Sequence, residues 1–96
     1  MYFDGNALVA LLADPALAAQ LTGSRRFASP LSVLEAVSAR PEAGLDGVTA
    51  LLEAAGIELR DMPPAHRLIE AAGAAPLAAL HAACAAYYEA EPWTAA

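Results

Sequence analysis

The sequence predicts an α/β protein in which a small parallel sheet forms the middle of a three-layer α/β/α arrangement. Short apolar or alternating segments that are typical of strands occur at residues 1–3, 26–28 and 57–60, with helix-like segments between them. Strands that alternate with helices along a chain favour a parallel sheet covered by helices. The length of 96 residues suits one domain, which we expect to span residues 1–96.

The first strand and the first helix meet at a single acid. The apolar run at residues 1–3 predicts a strand that ends at Asp4. Gly5 and Asn6 can turn the chain, and the aliphatic residues 7–12 predict a helix. Parallel α/β sheets place ligand-binding residues where a strand ends and its helix begins, so Asp4 is the first candidate for a functional residue.

The middle of the chain repeats this order of strand and helix. Pro15 suits the first position of a short helix over residues 16–21. Residues 26–28 predict the second strand. The Ser and Pro residues at positions 29–32 supply N-cap chemistry for a helix over residues 32–39.

The second half of the chain adds the third strand and three more helices. Apolar residues at helical spacing predict a helix over residues 45–55, which Gly56 would cap, and alternation at residues 57–60 predicts the strand. The remaining predicted elements are helices over residues 65–72 and 76–90 and a strand that starts at residues 93–94.

The charge of the chain argues against one common way of binding nucleic acid. The formal net charge is −6, and the chain has five arginines and no lysine. A broad basic surface that neutralises phosphates is therefore not expected. A metal-dependent nuclease stays compatible with this charge, because an acidic cluster binds the metal and the metal supplies the positive charge.

Cysteine and alanine usage predict where the protein works and how it gains stability. The single cysteine, Cys84, cannot form an internal disulfide, which favours a reducing compartment, and we expect a cytoplasmic protein without a signal peptide or membrane span. Alanine makes up 27 of the 96 residues and buries little area, so the core is expected to be thin. A homodimer would compensate, with the helices at residues 7–12 and 45–55 as candidate surfaces.

Asp4, Glu35 and His81 each have two interpretations, which the residues alone leave open. Asp4 is either a carboxylate that caps the following helix or a metal ligand or general base. Glu35 is either a solvated carboxylate beside the apolar stripe of its helix or an acid of a site. His81, on an apolar stripe of the last long helix, is either a hydrogen-bonded core residue or a neutral metal ligand.

The order of these elements resembles that of PIN domains over nearly the whole chain. Residues 2–12, with the sequence YFDGNALVALL, are similar to the first PIN motif, in which a strand ends in Asp before an aliphatic helix. Residues 27–36, with the sequence FASPLSVLEA, are similar to the second motif, in which a Pro-containing turn leads to a helix that bears a Glu. The later elements resemble the third strand (56–59), the helix with the third acid (77–87) and the strand before the fourth acid (92–95).

The closest subgroup is the toxins of VapBC-type bacterial toxin–antitoxin pairs, so the resemblance implies a VapC-like endoribonuclease that depends on Mg²⁺ or Mn²⁺. In this family carboxylates hold the metal, which activates water for attack on a phosphodiester. By resemblance, Asp4 would be the principal metal ligand and Glu35 the second. Asn6 would be a supporting residue that orients Asp4 or a metal-bound water. The implied partners are an RNA substrate and an antitoxin protein.

The chain departs from the PIN pattern at the third and fourth acids. The late helix carries His81 and no acid until Glu89, so His81 is the candidate third catalytic residue and would suit Mn²⁺ better than Mg²⁺. The fourth acid would follow residues 94–95, and we expect this acid and the last family strand to be absent. Two alternative functions stay open: a catalytically inactive PIN-like module that binds protein or RNA, and a purely structural α/β domain.

Overall fold

The computed structural model describes residues 1–23, 25–71 and 76–94, which form a mixed α/β structure with a small parallel sheet. Its strands are β1 (Tyr2–Phe3), β2 (Arg26–Ala28) and β3 (Ile57–Leu59). Its helices are α1 (Gly5–Ala13), α2 (Ala16–Ala19), α3 (Pro30–Ala39), α4 (Gly44–Ala55), α5 (Ala65–Ala71) and α6 (Pro76–Tyr87). The prediction of an α/β protein with a small parallel sheet is therefore confirmed.

The strands lie in the order β1-β2-β3, and both neighbouring pairs are parallel. Tyr2 is opposite Phe27, and Phe27 is opposite Glu58. Since Phe3 is opposite Ala28, β1 and β2 end level with each other. The residues that follow these two strands therefore start from the same edge of the sheet.

The chain returns to the free side of β1 near its C-terminus. Pro92 forms an isolated parallel bridge with Tyr2. The amide of Trp93 donates to the carbonyl of Tyr2 at 2.9 Å, and the amide of Tyr2 donates to the carbonyl of Glu91 at 2.7 Å. Among the described residues, the strand expected from residues 93–94 is thus reduced to a bridge at Pro92, one residue earlier. Residues 95–96 lie outside the described residues.

The two faces of the sheet pack against different helices. Phe3 and Ala28 belong to one buried cluster, whose other members come from α1, α3, α4 and Ile57. Tyr2 and Phe27 belong to a second cluster, with Cys84 and Ala85 of α6 and the adjacent Tyr88. This division follows from the two-residue period of strands, which points successive side chains to opposite faces.

Capping explains why two helices begin earlier than predicted. Helix α1 begins at Gly5 rather than residue 7, because Oδ1 of Asp4 accepts a hydrogen bond from the amide of Ala7 at 2.8 Å. Helix α3 begins at Pro30 rather than residue 32, because Ser29 is its N-cap and forms a capping box with Ser32.

The ends of other elements also differ from the prediction. Helix α6 ends at Tyr87 rather than near residue 90, and Glu89 has a φ of 54°, which is incompatible with a continuing helix. Helix α2 is shorter than predicted, and β3 stops at Leu59. Gly56 caps α4 with a φ of 65°, as predicted. The predicted end of α5 at residues 72–73 lies outside the described residues.

In the part of the chain that the structure describes, none of the helices has the length and apolar character needed to cross a membrane.

Candidate functional site

A pocket of about 410 Å³ lies beside the edge at which β1 and β2 end. Asp4 follows β1 and is the N-cap of α1, whereas Glu35 is on α3 and His81 is on α6. The lining residues are Tyr2, Asp4, Asn6, Glu35, Leu77, Ala78, His81, Ala82, Pro92, Trp93 and Thr94. All four residues selected from the sequence, namely Asp4, Asn6, Glu35 and His81, therefore line one pocket.

Asp4 is half-buried and performs the structural role that its position allows. Its Oδ1 caps α1 through the amide of Ala7, which satisfies one of the free amides of the first helical turn. Asn6 is exposed on the same turn. A helix cap uses only one carboxylate oxygen, so this structural role leaves Oδ2 of Asp4 free to take part in chemistry.

Gly5 permits the close approach of α1 to Glu35. A Cβ atom at position 5 would lie 2.7 Å from Oε1 of Glu35 and would collide with the Cβ of Glu35. A side chain at this position would therefore displace Glu35 or separate the two helices. The glycine after Asp4, which the sequence suggested only as a turn residue, is required by packing at the pocket.

Glu35 and His81 form a pair across the pocket. Nε2 of His81 is hydrogen-bonded to Oε1 of Glu35, and the exposed fractions of the two side chains are 12% for His81 and 30% for Glu35. Glu35 is therefore a partly buried carboxylate with a fixed partner rather than a fully solvated one.

Tyr2 connects this pair to the sheet. Its hydroxyl lies 2.7 Å from Nδ1 of His81, 2.9 Å from Oγ of Ser29 and 3.1 Å from Oγ of Ser32. Burial raises the pKa of Tyr2 well above its usual value, so Tyr2 stays a neutral phenol at physiological pH. Both ring nitrogens of His81 are thus engaged, and the predicted ligation of a metal by His81 would require one of these bonds to break.

Sequence reasoning missed Tyr2, Ser29 and Ser32 as members of this network. The two serines were interpretable as capping residues, and they do form the capping box of α3. The available signal was strand alternation, which places Tyr2 and Phe27 on the same face of the sheet. Strand alternation does not predict that α6 brings His81 to the same face.

Trp93 lies at the pocket, and Cys84 lies behind it in the buried cluster that contains Tyr2. Trp93 lines the pocket and stacks on Phe3, with ring centroids 5.2 Å apart and an angle of 29° between the planes. Cys84 is fully buried, and this burial raises the pKa of its thiol. A buried thiol with a raised pKa is a poor nucleophile, so Cys84 is a packing residue.

The donors in the pocket suit a divalent cation that keeps several of its waters. Mg²⁺ typically binds through one or two carboxylates, with water and substrate phosphate completing its ligands. Among the described residues, the second oxygens of Asp4 and Glu35 have no hydrogen-bond partner in the protein. The same residues contain no group of three His, Cys, Asp or Glu side chains placed to hold a metal. Among the described residues, the pocket therefore offers an ion two carboxylates and not a complete protein cage.

Comparisons of the chain with protein-family models, with curated proteins and with solved structures give no match. The site itself is therefore the basis for assigning a function. It belongs to the class of acidic pockets at the carboxyl edge of a parallel sheet, where many α/β proteins bind their ligands.

Proposed function

We propose that the chain is a PIN-like, VapC-like endoribonuclease domain that depends on Mg²⁺ or Mn²⁺. The observation that carries the proposal is the convergence of Asp4, Asn6, Glu35 and His81, from separate segments, on one pocket. These are the residues that the resemblance to PIN domains singles out, or, for His81, the residue in place of the third acid. We include in the proposal a three-layer arrangement, in which α1, α3 and α4 cover one face of the sheet and α6 covers the other.

In the proposed reaction the side chains of the pocket have distinct roles. Asp4 and Glu35 would hold the divalent ion. When bound, this ion supplies an activated water and offsets the charge of the scissile phosphodiester. Asn6 stands two residues after Asp4 and would orient the Asp4 carboxylate or the attacking water. His81 holds Glu35 through its Nε2 atom, which restricts the orientation of the Glu35 carboxylate.

The charge of the protein is consistent with this assignment. With a net charge of −6, the chain lacks a general attraction for RNA, so the ion would also help to retain the phosphate. The proposed partners are an RNA substrate and an antitoxin protein. The free, buried Cys84 suits a reducing compartment, and we place the protein in the cytoplasm on that basis.

The alternative is a catalytically inactive PIN-like module that binds protein or RNA. Two observations favour it. Within the described residues no three potential ligands are grouped for a metal, and Glu35 already has His81 as a partner. This alternative predicts that the pocket neither binds Mn²⁺ appreciably nor cleaves RNA.

The deciding experiment is cleavage of a mixed RNA substrate in the presence of Mg²⁺, Mn²⁺ or EDTA. Asp4→Asn is the informative variant, because an Asn side chain keeps the helix cap but removes the charge. Asp14→Asn is its matched control, since Asp14 also accepts a hydrogen bond from a backbone amide at the start of a helix, that of Ala16 at 3.1 Å, but is exposed and does not line the pocket. We expect metal-dependent cleavage by the wild type and by Asp14→Asn, and loss of cleavage by Asp4→Asn.

Binding of Mn²⁺ can be followed separately through Trp93, the only tryptophan, because a paramagnetic ion in the pocket would quench its fluorescence. Quenching without cleavage would show that the pocket binds the ion and would overturn the endoribonuclease. The absence of both quenching and cleavage would overturn the metal-dependent function and favour the inactive module. Equal cleavage by Asp4→Asn and the wild type would exclude Asp4 as a catalytic residue.

A further inference from the structure

The hydroxyl of Tyr2 lies at the centre of a buried group of hydrogen-bonding side chains. Tyr2 is 2% exposed, and Ser29 and Ser32 are fully buried. Three atoms lie within 3.1 Å of the Tyr2 oxygen, and the closest is Nδ1 of His81, at 2.7 Å. A phenol has one hydrogen to donate, so this hydrogen can go to only one of the three neighbours.

The capping box decides what the two serines offer to Tyr2. Oγ of Ser29 accepts from the amide of Ser32, and Oγ of Ser32 accepts from the amide of Ser29, each at 3.3 Å. Each serine therefore keeps its own hydroxyl hydrogen. The two hydroxyl oxygens lie 3.2 Å apart, so one serine can donate to the other, and at least one hydrogen remains for the Tyr2 oxygen. A Tyr2 hydroxyl that accepts from a serine can direct its own hydrogen to its closest neighbour, Nδ1 of His81, at 2.7 Å.

The other side of the imidazole leads to the same arrangement. Nε2 of His81 faces Oε1 of Glu35, and a carboxylate oxygen only accepts hydrogen bonds. In a neutral His81, a hydrogen on Nε2 satisfies Glu35 and leaves Nδ1 as the acceptor. This is the tautomer that a donating Tyr2 hydroxyl favours.

We propose that Tyr2, supported by Ser29 and Ser32, is a positioning residue that holds neutral His81 in the Nε2–H tautomer and directs it at Glu35. The imidazole then has no free nitrogen, so His81 organises Glu35 and does not itself act as a base or a metal ligand. A hydrogen-bond partner behind a histidine that selects its tautomer is a known way of preparing a site. The tautomer stands independently of catalysis, whereas its importance for cleavage rests on the proposed endoribonuclease function.

The first test is the ¹⁵N spectrum of the histidines in the 96-residue wild-type chain at about pH 9, where imidazoles are ordinarily neutral. The chain has two histidines, and His66→Gln, at an exposed position, leaves His81 as the only signal. We expect a pyrrole-like Nε2 and a pyridine-like Nδ1, with no averaging between tautomers. A pyrrole-like Nδ1, two protonated nitrogens or an averaged pair of signals would each overturn the proposal.

The second test removes only the hydroxyl of Tyr2. In Tyr2→Phe we expect loss of the single tautomer and an averaged pattern at His81. Tyr88→Phe is the matched control, because Tyr88 is also buried and its hydroxyl has backbone carbonyls as acceptors, Asp61 at 2.7 Å and Arg60 at 3.1 Å, rather than His81. A fixed Nε2–H tautomer that persists in Tyr2→Phe would overturn the positioning role.

The two proposals can fail separately. Absence of RNA cleavage in every protein, together with the expected wild-type spectrum, would overturn the endoribonuclease and leave the tautomer proposal standing. Cleavage by the wild type, together with an averaged His81 spectrum, would overturn the tautomer proposal and leave the endoribonuclease standing. The wild-type spectrum needs no substitution in the network, so the proposal stays testable even if Tyr2→Phe does not fold.

Discussion

Glu35 on α3 and His81 on α6 are hydrogen-bonded across 46 positions of the chain. These helices contribute to different buried clusters, so the pair links the two parts of the core at the edge of the sheet. The side chain of His81 is 12% exposed and that of Glu35 is 30% exposed, which weakens solvent screening of their interaction. The acid of the candidate site is therefore held in place by the protein itself, before any ligand arrives.

A double-mutant cycle on Glu35→Ala and His81→Ala should reveal this coupling. We expect each single variant to lose about 1 kcal/mol of the free energy of unfolding, and the double variant to lose little more than either. The measurement is equilibrium urea unfolding. The exposed ion pair between Arg25 and Glu58, at 3.4 Å, is the comparison and should give a coupling close to zero. Additive losses at Glu35 and His81 would show that the pair contributes no coupling energy.

Asp4 should show separable structural and chemical roles. Asp4→Ala removes the cap of α1 and should cost about 1 kcal/mol of stability, whereas Asp4→Asn keeps a capping oxygen and should stay close to the wild type. Thermal or urea unfolding of the three proteins measures the difference. If Asp4→Asn were as unstable as Asp4→Ala, the negative charge at the helix N-terminus, rather than the capping oxygen, would be the stabilising feature.

The sequence predicted local features of this protein better than long-range ones. The strands and the caps of α3 and α4 depend on residues a few positions apart, so the patterns of apolar, Ser, Pro and Gly residues were sufficient. The parallel arrangement, which pairs Tyr2 with Phe27, followed from the alternation of strands and helices along the chain. Local pattern also selected Asp4 as a candidate, whereas Glu35 was selected through the resemblance to PIN domains. The network around Tyr2 joins residues 27, 30 and 79 positions apart, and no periodicity encodes such a contact. Only the packing of α6 against β1 produces it.

Gly5→Ala should be destabilising although alanine favours helices. The new Cβ would collide with the Cβ of Glu35, and relieving such overpacking typically costs about 1–3 kcal/mol. Gly47→Ala in α4 is the control, because its Cβ would meet only the Cβ of Ala43, at 3.0 Å, a tight contact but not a collision like that at Gly5. Position 47 lies inside its helix, where Ala gains about 1 kcal/mol of helix propensity over Gly. Urea unfolding should rank Gly5→Ala below Gly47→Ala, and the opposite order would contradict the close approach at Glu35.

Stability should fall in alkaline solution because of the buried tyrosines. Burial raises the pKa of Tyr88 to about 12, and burial also raises the pKa of Tyr2, whereas tyrosines in the unfolded chain ionise near pH 10. The folded state therefore retains protons that the unfolded state loses. The stabilisation is complete below about pH 10 and is lost as the pH rises through the folded pKa of each tyrosine, about 12 for Tyr88 and higher for Tyr2. The loss is at most about 1.4 kcal/mol per pH unit for each tyrosine.

Urea unfolding at several alkaline pH values measures this slope. Tyr88→Phe should make the slope shallower by up to one tyrosine's contribution, whatever its effect on stability at neutral pH. A slope unchanged by Tyr88→Phe would mean that Tyr88 ionises at the same pH in the folded and unfolded chains.

The homodimer stays a prediction, and the structure leaves fewer candidate surfaces for it than the sequence did. Helix α1 buries Ala7, Leu8 and Leu11 within its own chain, so that face is not available to a second copy. An apolar groove of about 510 Å³ remains between α1, α2 and α4. It is lined by Leu11, Leu12, Pro15, Ala18, Ala19, Gly47, Ala50, Leu51 and Ala54.

Sedimentation velocity at micromolar concentration should show a dimer that Ala50→Glu converts to a monomer. Ala50 is exposed at the groove, and a buried carboxylate without a partner there would oppose association. Ala65→Glu places the same charge on an exposed position of α5 outside the groove and should leave the dimer intact. A dimer that withstands Ala50→Glu would assign the interface to another surface. A wild-type monomer would mean that the alanine-rich core is sufficient for the folded state without a second copy.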